Sequence, residues 1–281
     1  MNKEIKVLAF DMDGTLLDDD KNLSKYTVEV LNKAAACGLK YVPCSGRGTE
    51  RITPLLEDVN GIEYIISTNG AAITDYHSGE VVCEYTLDRE DAIKIFDYVE
   101  ACGCDLRILI EDGYYDLQGK MKEPFGMPAD MTRGVISDQW IREKGFRDFI
   151  TNNDHVVQKY VLVFETIEDK FKAFHELVKI NNLYVTYSHD LIVEISHPEA
   201  TKGKALCRAA KMMQIPLENI MAIGDEHNDI PMIELAGIGV AMGNAADDVK
   251  KHADFVTVKN IEDGVAKAIE KLFFQETMKE D

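Results

Sequence analysis

The sequence has no CxxC pair and no Cys/His set at metal-ligand spacing, although it holds six cysteines (Cys37, Cys44, Cys83, Cys102, Cys104 and Cys207). That removes the common zinc motifs and the dithiol oxidoreductase motif. Cys102-Gly103-Cys104 is a lone CxC, and the six thiols read as small core residues in a reducing cytoplasm. Basic residues are scarce: 31 Lys and Arg stand against 50 Asp and Glu, a formal net charge of -19. This excludes general binding to nucleic acid or to an anionic membrane, both of which need clustered cations. A small anion held by a local site stays open. No stretch approaches the roughly 20 apolar residues of a membrane span. The apolar run in MNKEIKVLAF is too short for a signal peptide, so the expected location is cytoplasmic. There is no internal repeat and no low-complexity segment. What is present is 281 residues, 46% of them hydrophobic, enough for one large domain or two modest ones.

Apolar runs punctuated by turn residues give the organisation. Ile5 to Phe10 reads as a buried strand ending in a polar turn. Ser24 N-caps a helix through Ala36, with Gly38 as its stop. Leu39 to Cys44 is a second strand, Gly48 to Glu57 a helix, and Glu63 to Ser67 a third strand. This alternation implies a parallel sheet with right-handed crossovers. The pattern then changes. Ala72 to Asp75 and Val81 to Tyr85 flank a His77-Ser78-Gly79 hairpin signal. A helix to Ala101, a strand pair around Glu111-Asp112-Gly113, an irregular stretch Gln118 to Lys144, strand Val156 to Phe164, helix Ile167 to Lys179, and strands Tyr184 to Ser188 and Leu191 to Ser196 follow. After His197-Pro198 the first rhythm returns, with helix Lys202 to Met213, strand Ile220 to Gly224, a helix around Pro231 to Ala236, strand Ile238 to Met242 and helix Asp263 to Phe274. The expected architecture is α/β: a Rossmann-like parallel-sheet core, 1–84 with 196–281, interrupted by an inserted α+β module, 85–195.

Four polar stretches fall at the expected carboxyl ends of core strands or at a helix start beside them, where open α/β sheets bind ligands. They are Asp11-Met12-Asp13-Gly14-Thr15, Ser45-Gly46-Arg47, Lys202-Gly203-Lys204 and Gly224-Asp225-Glu226-His227-Asn228-Asp229. Asp11 and Asp13 are two apart and point the same way in extended backbone. Hard carboxylate oxygens suit Mg²⁺, and Asp225 can add another. A carboxylate beside such a cation can attack phosphorus, and a second carboxyl can protonate the leaving oxygen and then activate water. Ser45, Gly46 and Lys202 offer a hydroxyl, an N–H and a cation for phosphoryl oxygens. Each stretch alone also has a plainer reading as turn, cap or solvated helix start; it is their joint occurrence in order that carries the chemistry. Asp18-Asp19-Asp20 reads as a solvated loop.

These residues resemble the haloacid dehalogenase-like hydrolase superfamily, and within it the Cof-type phosphatases with a type-IIB cap. AFDMDGTLL resembles the first motif, which implies Asp11 as nucleophile and Asp13 as general acid/base. CSGR resembles the second, implying Ser45 on phosphate, with Gly46 beside it. TKGKAL resembles the third, implying Lys202 as the clamp on phosphate and nucleophile. IGDEHNDIPMI resembles the fourth, implying Asp225 as a Mg²⁺ ligand with Asn228 and Asp229 around metal and phosphate. The Asp11 carboxylate and the Asp13 backbone carbonyl complete the implied ligand set. STNGA at 67–71 and AMGNA at 241–245 also resemble this subfamily. His-Pro-Glu-Ala at 197–200 departs from its usual glycine-containing lead into the third motif. His227 is at a variable position and reads as a surface or packing residue.

The resemblance implies a Mg²⁺-dependent phosphatase for small organic phosphate monoesters such as sugar phosphates, acting through an aspartyl-phosphate, with the inserted module choosing the substrate. A phosphomutase or phosphotransferase of the phosphomannomutase type shares the motifs. A phosphorylation-gated signalling module fits less well, because the third strand ends in Ser67-Thr68-Asn69 without a phosphoacceptor Asp. Arg107, Tyr114, Tyr115 and Lys159 of the insert could face the substrate, but each reads more readily as solvent-facing or packed. Oligomeric state is not readable from the sequence.

Overall fold

The computed structural model describes residues 4–102, 104–110, 113–116, 148, 151 and 157–274. The irregular stretch Gln118 to Lys144, the Glu111-Asp112 turn, and the side chains of Arg107, Tyr114 and Tyr115 lie outside the described residues. The strands are β1 (Val7–Phe10), β2 (Lys40–Pro43), β3 (Tyr64–Ser67), β4 (Ala72–Asp75), β5 (Val81–Glu84), β6 (Asp105–Ile110), β7 (Gly113–Asp116), β8 (Val157–Val163), β9 (Tyr184–His189), β10 (Ile192–Ser196), β11 (Ile220–Gly224), β12 (Ile238–Ala241) and β13 (Phe255–Val256). They fall into two compact units. One comprises Met1–Glu84 and Thr201–Asp281, the other Tyr85–Ala200.

The first unit is the parallel-sheet core. Its five strands run in the order β13-β12-β11-β1-β2, and every neighbouring pair is parallel. All four residues of β1 are buried, because a strand covered by helices on both faces must be apolar on both. Burying Leu8 and Phe10 completely contributes about 1.5–3 kcal/mol each. On one face lie Leu31, Tyr41, Ile223 and Ile269; on the other, Ala205, Leu206, Ala209 and Met232.

The third strand, β3, differs from the sequence expectation. It meets β2 only through isolated parallel bridges, Tyr41 to Ile62 and Cys44 to Ile66. Its regular pairing is antiparallel with β4, in a three-stranded sheet with β5. The Thr68–Gly70 turn reverses the chain before the parallel ladder can extend. The helix expected over Gly48 to Glu57 is split into Thr49–Ile52 and a 3₁₀ turn, Thr53–Leu56, because Pro54 has no N–H to continue the ladder. The last helix runs regularly only over Gly264–Ile269 and widens to π geometry over Glu270–Phe274. The strand β13 has two residues, too few for a sequence signal.

The second unit is an α+β module. Its sheet order is β7-β6-β8-β10-β9, and its paired strands are antiparallel. Helices Arg89–Cys102 and Ile167–Leu177 pack on one sheet face through Ile95, Phe96, Ala173 and Leu177 against Tyr160, Leu162, Val193 and Ile195. Strand alternation sends Lys159 and Glu194 to the opposite face, where they form an ion pair at 2.6 Å. Ser196 to Ala200 belong to this unit, closed by a Ser196 hydroxyl donating to the Ala200 carbonyl at 3.2 Å. No helix among the described residues is long and apolar enough to cross a membrane.

Candidate active site

Parallel pairing of β1 with β11 brings together two turns from opposite ends of the chain. Phe10 is opposite Ile223, and the Asp11 N–H donates to the Ile223 carbonyl at 3.0 Å. The chain after Asp11 coils back on itself, the Leu17 N–H donating to the Met12 carbonyl at 2.9 Å. This presents the Thr15 hydroxyl to Asp225 Oδ1 at 2.6 Å. Gly14 has φ +80°, and a Cβ there would lie 2.3 Å from Asp225 Oδ2. Any side chain at position 14 would therefore displace the Asp225 carboxylate.

Lys202 is the first residue of the Lys202–Met213 helix, whose N-cap Thr201 accepts from the Lys204 N–H. The side chain is 1% exposed. Its ammonium donates to Asp11 Oδ1 at 2.5 Å and to Asp229 Oδ1 at 2.6 Å. The other oxygen of Asp229 accepts from the Asp225 and Glu226 N–H groups at 2.9 and 3.0 Å. Asp229 is thus both a backbone cap and a partner of Lys202. Asn244 donates to the Gly14 carbonyl at 2.8 Å and reaches Asp225 Oδ2 at 3.4 Å.

Asp11, Asp225 and Asp229 each place one carboxylate oxygen within 4.8 Å of the others. All three are buried, and one ammonium cannot neutralise them. Burial pushes the Asp11 carboxyl well above the ordinary carboxylate range; Lys202 opposes this, while Asp229, Asp225 and Asp13 add to it. Burial likewise pushes Asp225 up to about 8, with Asp229 adding and the Thr15 hydrogen bond opposing. Lys202 is raised above the ordinary lysine value by Asp11 and Asp229, against the effect of its own burial. A set of hard carboxylate oxygens with surplus negative charge fits Mg²⁺ in donor type and in charge.

The Asp13 carboxylate is turned elsewhere. The Arg47 guanidinium holds both its oxygens at 2.6 Å, and Lys21 reaches it at 3.0 Å. Despite burial, these cations bring its carboxyl down to about 2. Ser45 is 1% exposed; its N–H donates to the Ile66 carbonyl at 2.9 Å, and its hydroxyl accepts from the Arg47 N–H at 3.2 Å. Gly46 lies in the same bend. Asn228 is buried, and its Nδ2 donates to Asn69 Oδ1 at 3.1 Å. His227 pairs with Asp248 on the surface.

The structure therefore brings Asp11, Lys202, Asp225 and Asp229 into direct contact or near contact. It adds four groups to which the sequence reading gave no role: Thr15, Arg47, Asn69 and Asn244. All four stood inside quoted motifs. For Asn69 the Asn-Gly pair was a usable signal of positive φ; for Asn244 nothing in the spacing pointed to Gly14.

A 5-amino-6-(5-phospho-D-ribitylamino)uracil phosphatase of Bacillus subtilis (strain 168) is 33% identical over 266 residues, covering 95% of each chain. Among solved structures, a haloacid dehalogenase-like hydrolase from B. subtilis superposes with a TM-score of 0.80 at 27% identity, over 96% of this chain and 100% of the other. A subclass IIB sugar phosphatase of the same superfamily gives 0.74 at 27% identity, over 94% and 98%. The family profile of the haloacid dehalogenase-like hydrolases matches residues 8–269, and the chain belongs to that family.

Proposed function

We propose that the protein is a Mg²⁺-dependent phosphatase that hydrolyses small organic phosphate monoesters, of the sugar or polyol phosphate class, through an aspartyl-phosphate on Asp11. The observation that carries this reading is the Lys202 ammonium held between Asp11 and Asp229, beside a third buried carboxylate, Asp225. The Asp11 and Asp225 carboxylates and the Asp13 carbonyl, with Asp229 in support, would hold Mg²⁺, which would supply the positive charge these buried acids lack.

The chain's own groups then divide the work. The free oxygen of Asp11 attacks phosphorus as the ester oxygen leaves, and Lys202 fixes the other oxygen. Ser45 Oγ–H, the Gly46 N–H and Asn228 Nδ2 donate to the phosphoryl oxygens. Asp13 gives a proton to the leaving oxygen and afterwards takes one from the water that cleaves the acyl-phosphate. With Arg47 and Lys21 on it, Asp13 is ionised at neutral pH, the form needed for the second half of the cycle. Proton donation in the first half requires Arg47 to let go of it. The inserted unit selects the substrate, and the cytoplasm is the compartment in which this substrate class is met.

The substrate class follows the two phosphatases named above, one acting on a ribityl phosphate and one on sugar phosphates. The test is inorganic phosphate release from a panel of sugar, polyol and nucleotide monoesters, with Mg²⁺ and with EDTA. Release from sugar or polyol phosphates that stops in EDTA is expected. No release from any monoester at millimolar Mg²⁺ overturns the reading.

A further inference from the structure

The turn between β3 and β4 is built from three successive residues in left-handed backbone: Thr68 at φ 51°, Asn69 at 58° and Gly70 at 101°. Glycine adopts this region freely and asparagine tolerates it, but a β-branched threonine is a rare occupant. A non-glycine residue there is strained, because its Cβ crowds the backbone. Such backbone persists only where the surroundings over-determine it, and such places concentrate at working sites.

The surroundings here are three segments of the candidate site. The Asn69 N–H donates to the Ser45 carbonyl at 2.9 Å and the Thr68 N–H to the Arg47 carbonyl at 2.8 Å, so the turn grips both ends of Ser45-Gly46-Arg47. A Cβ on Gly70 would lie 2.4 Å from the Thr201 carbonyl oxygen, so the turn backbone lies directly on the residue before Lys202. The Asn69 side chain makes the third link, accepting from Asn228 Nδ2 at 3.1 Å. That bond decides which way round the Asn228 carboxamide stands. Asn228 is 4% exposed, and its Oδ1 is buried without a hydrogen-bond partner. A buried unsatisfied acceptor is costly, and a donor arriving with a ligand would offset that cost.

We propose that Thr68-Asn69-Gly70 is a positioning element and that Asn69 is a positioning residue: it fixes the Asn228 carboxamide so that one N–H is left for a phosphoryl oxygen and Oδ1 for a water ordered by the bound cation. This deepens the phosphatase reading and rests on it. Asn69 does not touch the reacting atoms. It acts through Asn228, while the turn backbone holds the Ser45 bend and the start of the Lys202 helix in register.

The test isolates the side chain from the backbone. Asn69→Gly keeps the left-handed turn and removes the side chain with its acceptor. Asparagine-¹⁵N-labelled protein gives a side-chain NH₂ pair for Asn228, identified by its loss in Asn228→Ala. In Asn69→Gly this pair shifts, and its exchange with solvent speeds up at least tenfold; an unchanged pair overturns the proposal. Turnover supplies a double-mutant cycle. Asn69→Gly lowers kcat/KM about tenfold, and adding it to Asn228→Ala lowers kcat/KM no further. Losses that multiply in the double variant also overturn it, because Asn69 would then act by another route. If Asn69→Gly does not fold, Asn69→Asp retains an acceptor and a residue tolerant of this backbone. Its Asn228 pair should match the wild type, and a collapsed pair counts against the proposal. A wild type inert toward every phosphate ester sinks the phosphatase reading, and the Asn228 pair then decides the contact by itself.

Discussion

The two units each bury a lysine against carboxylate, and the two arrangements differ in their charge count. In the first unit, Lys202 bonds two aspartates with a third nearby. In the second, Lys159 bonds Glu194 at 2.6 Å with both side chains buried. Among the described residues only the first gathers three acidic ligand atoms. Removing one partner of a buried ion pair leaves the other charge uncompensated. Three carboxylates around one ammonium remain short of positive charge until a cation or a proton arrives, and burial, with the neighbouring aspartates adding to it, raises the Asp11 and Asp225 carboxyls.

The sharpest way to break this comparison is on turnover. Asp11→Asn keeps shape and removes the proposed nucleophile, and phosphate release should fall by at least about 10³-fold with the far-UV spectrum unchanged. Lys159→Met should leave a measurable rate on the same substrate. Comparable losses in the two variants would erase the distinction. Next comes stability. Lys202→Met and Lys159→Met should each cost about 3–5 kcal/mol in EDTA. Mg²⁺ should return much of the loss only at Lys202, read by urea melts with and without the ion.

Smaller is the effect of the ion on the unaltered protein. At 100-fold excess over its dissociation constant, Mg²⁺ should stabilise by about 2.7 kcal/mol, and Asp225→Asn should remove most of that gain. The pH dependence has a definite sign. The folded Asp225 carboxyl stands near 8, raised from 3.8, so between these values the folded state holds more protons than the unfolded one. In EDTA its contribution to stability is greatest below that window, declines as pH rises through it, and levels off above it. Asp225→Asn should reduce that slope, and melts across pH 5 to 9 would show it; an identical slope means the carboxyl does not carry it. The smallest effect belongs to the second unit. The Cys104 thiol, 3.0 Å away, brings exposed Cys102 down to about 6. Alkylation of Cys102 at pH 7 should slow about tenfold in Cys104→Ala, followed by mass spectrometry, with phosphate release unaffected.

Much of this was legible because strand-to-turn transitions leave strong marks. Val7 to Phe10 followed by Asp11, and Ile220 to Gly224 followed by Asp225, gave both the strands and the polar ends that sit side by side. Ser24 gave a helix start because its hydroxyl satisfies an orphan N–H group. What stayed hidden depends on contacts across the chain. Nothing in Asp13 itself told that its carboxylate would be gripped by Arg47 instead of joining Asp11. Nor did Glu63 to Ser67 reveal that β3 would pair mainly with the strand that follows it. Two-residue β13 and the π-widened end of the last helix exist because neighbouring elements hold them, which local pattern does not encode.

The sheet order also sets a schedule for synthesis. β1 is flanked by β2, made soon afterwards, and by β11, made near the end. Thr15 and Asp225, which share a hydrogen bond, are 210 residues apart. At about 5–20 residues per second, β1 waits roughly 10–40 s for its second neighbour. Through that interval the strand carries Asp11 on an unpaired edge. The contiguous second unit, Tyr85–Ala200, can fold while the first waits. A ribosome stalled before Ile220 would therefore display a finished insert on an unfinished core, and chaperones that hold apolar strand edges should favour that nascent chain over the completed one.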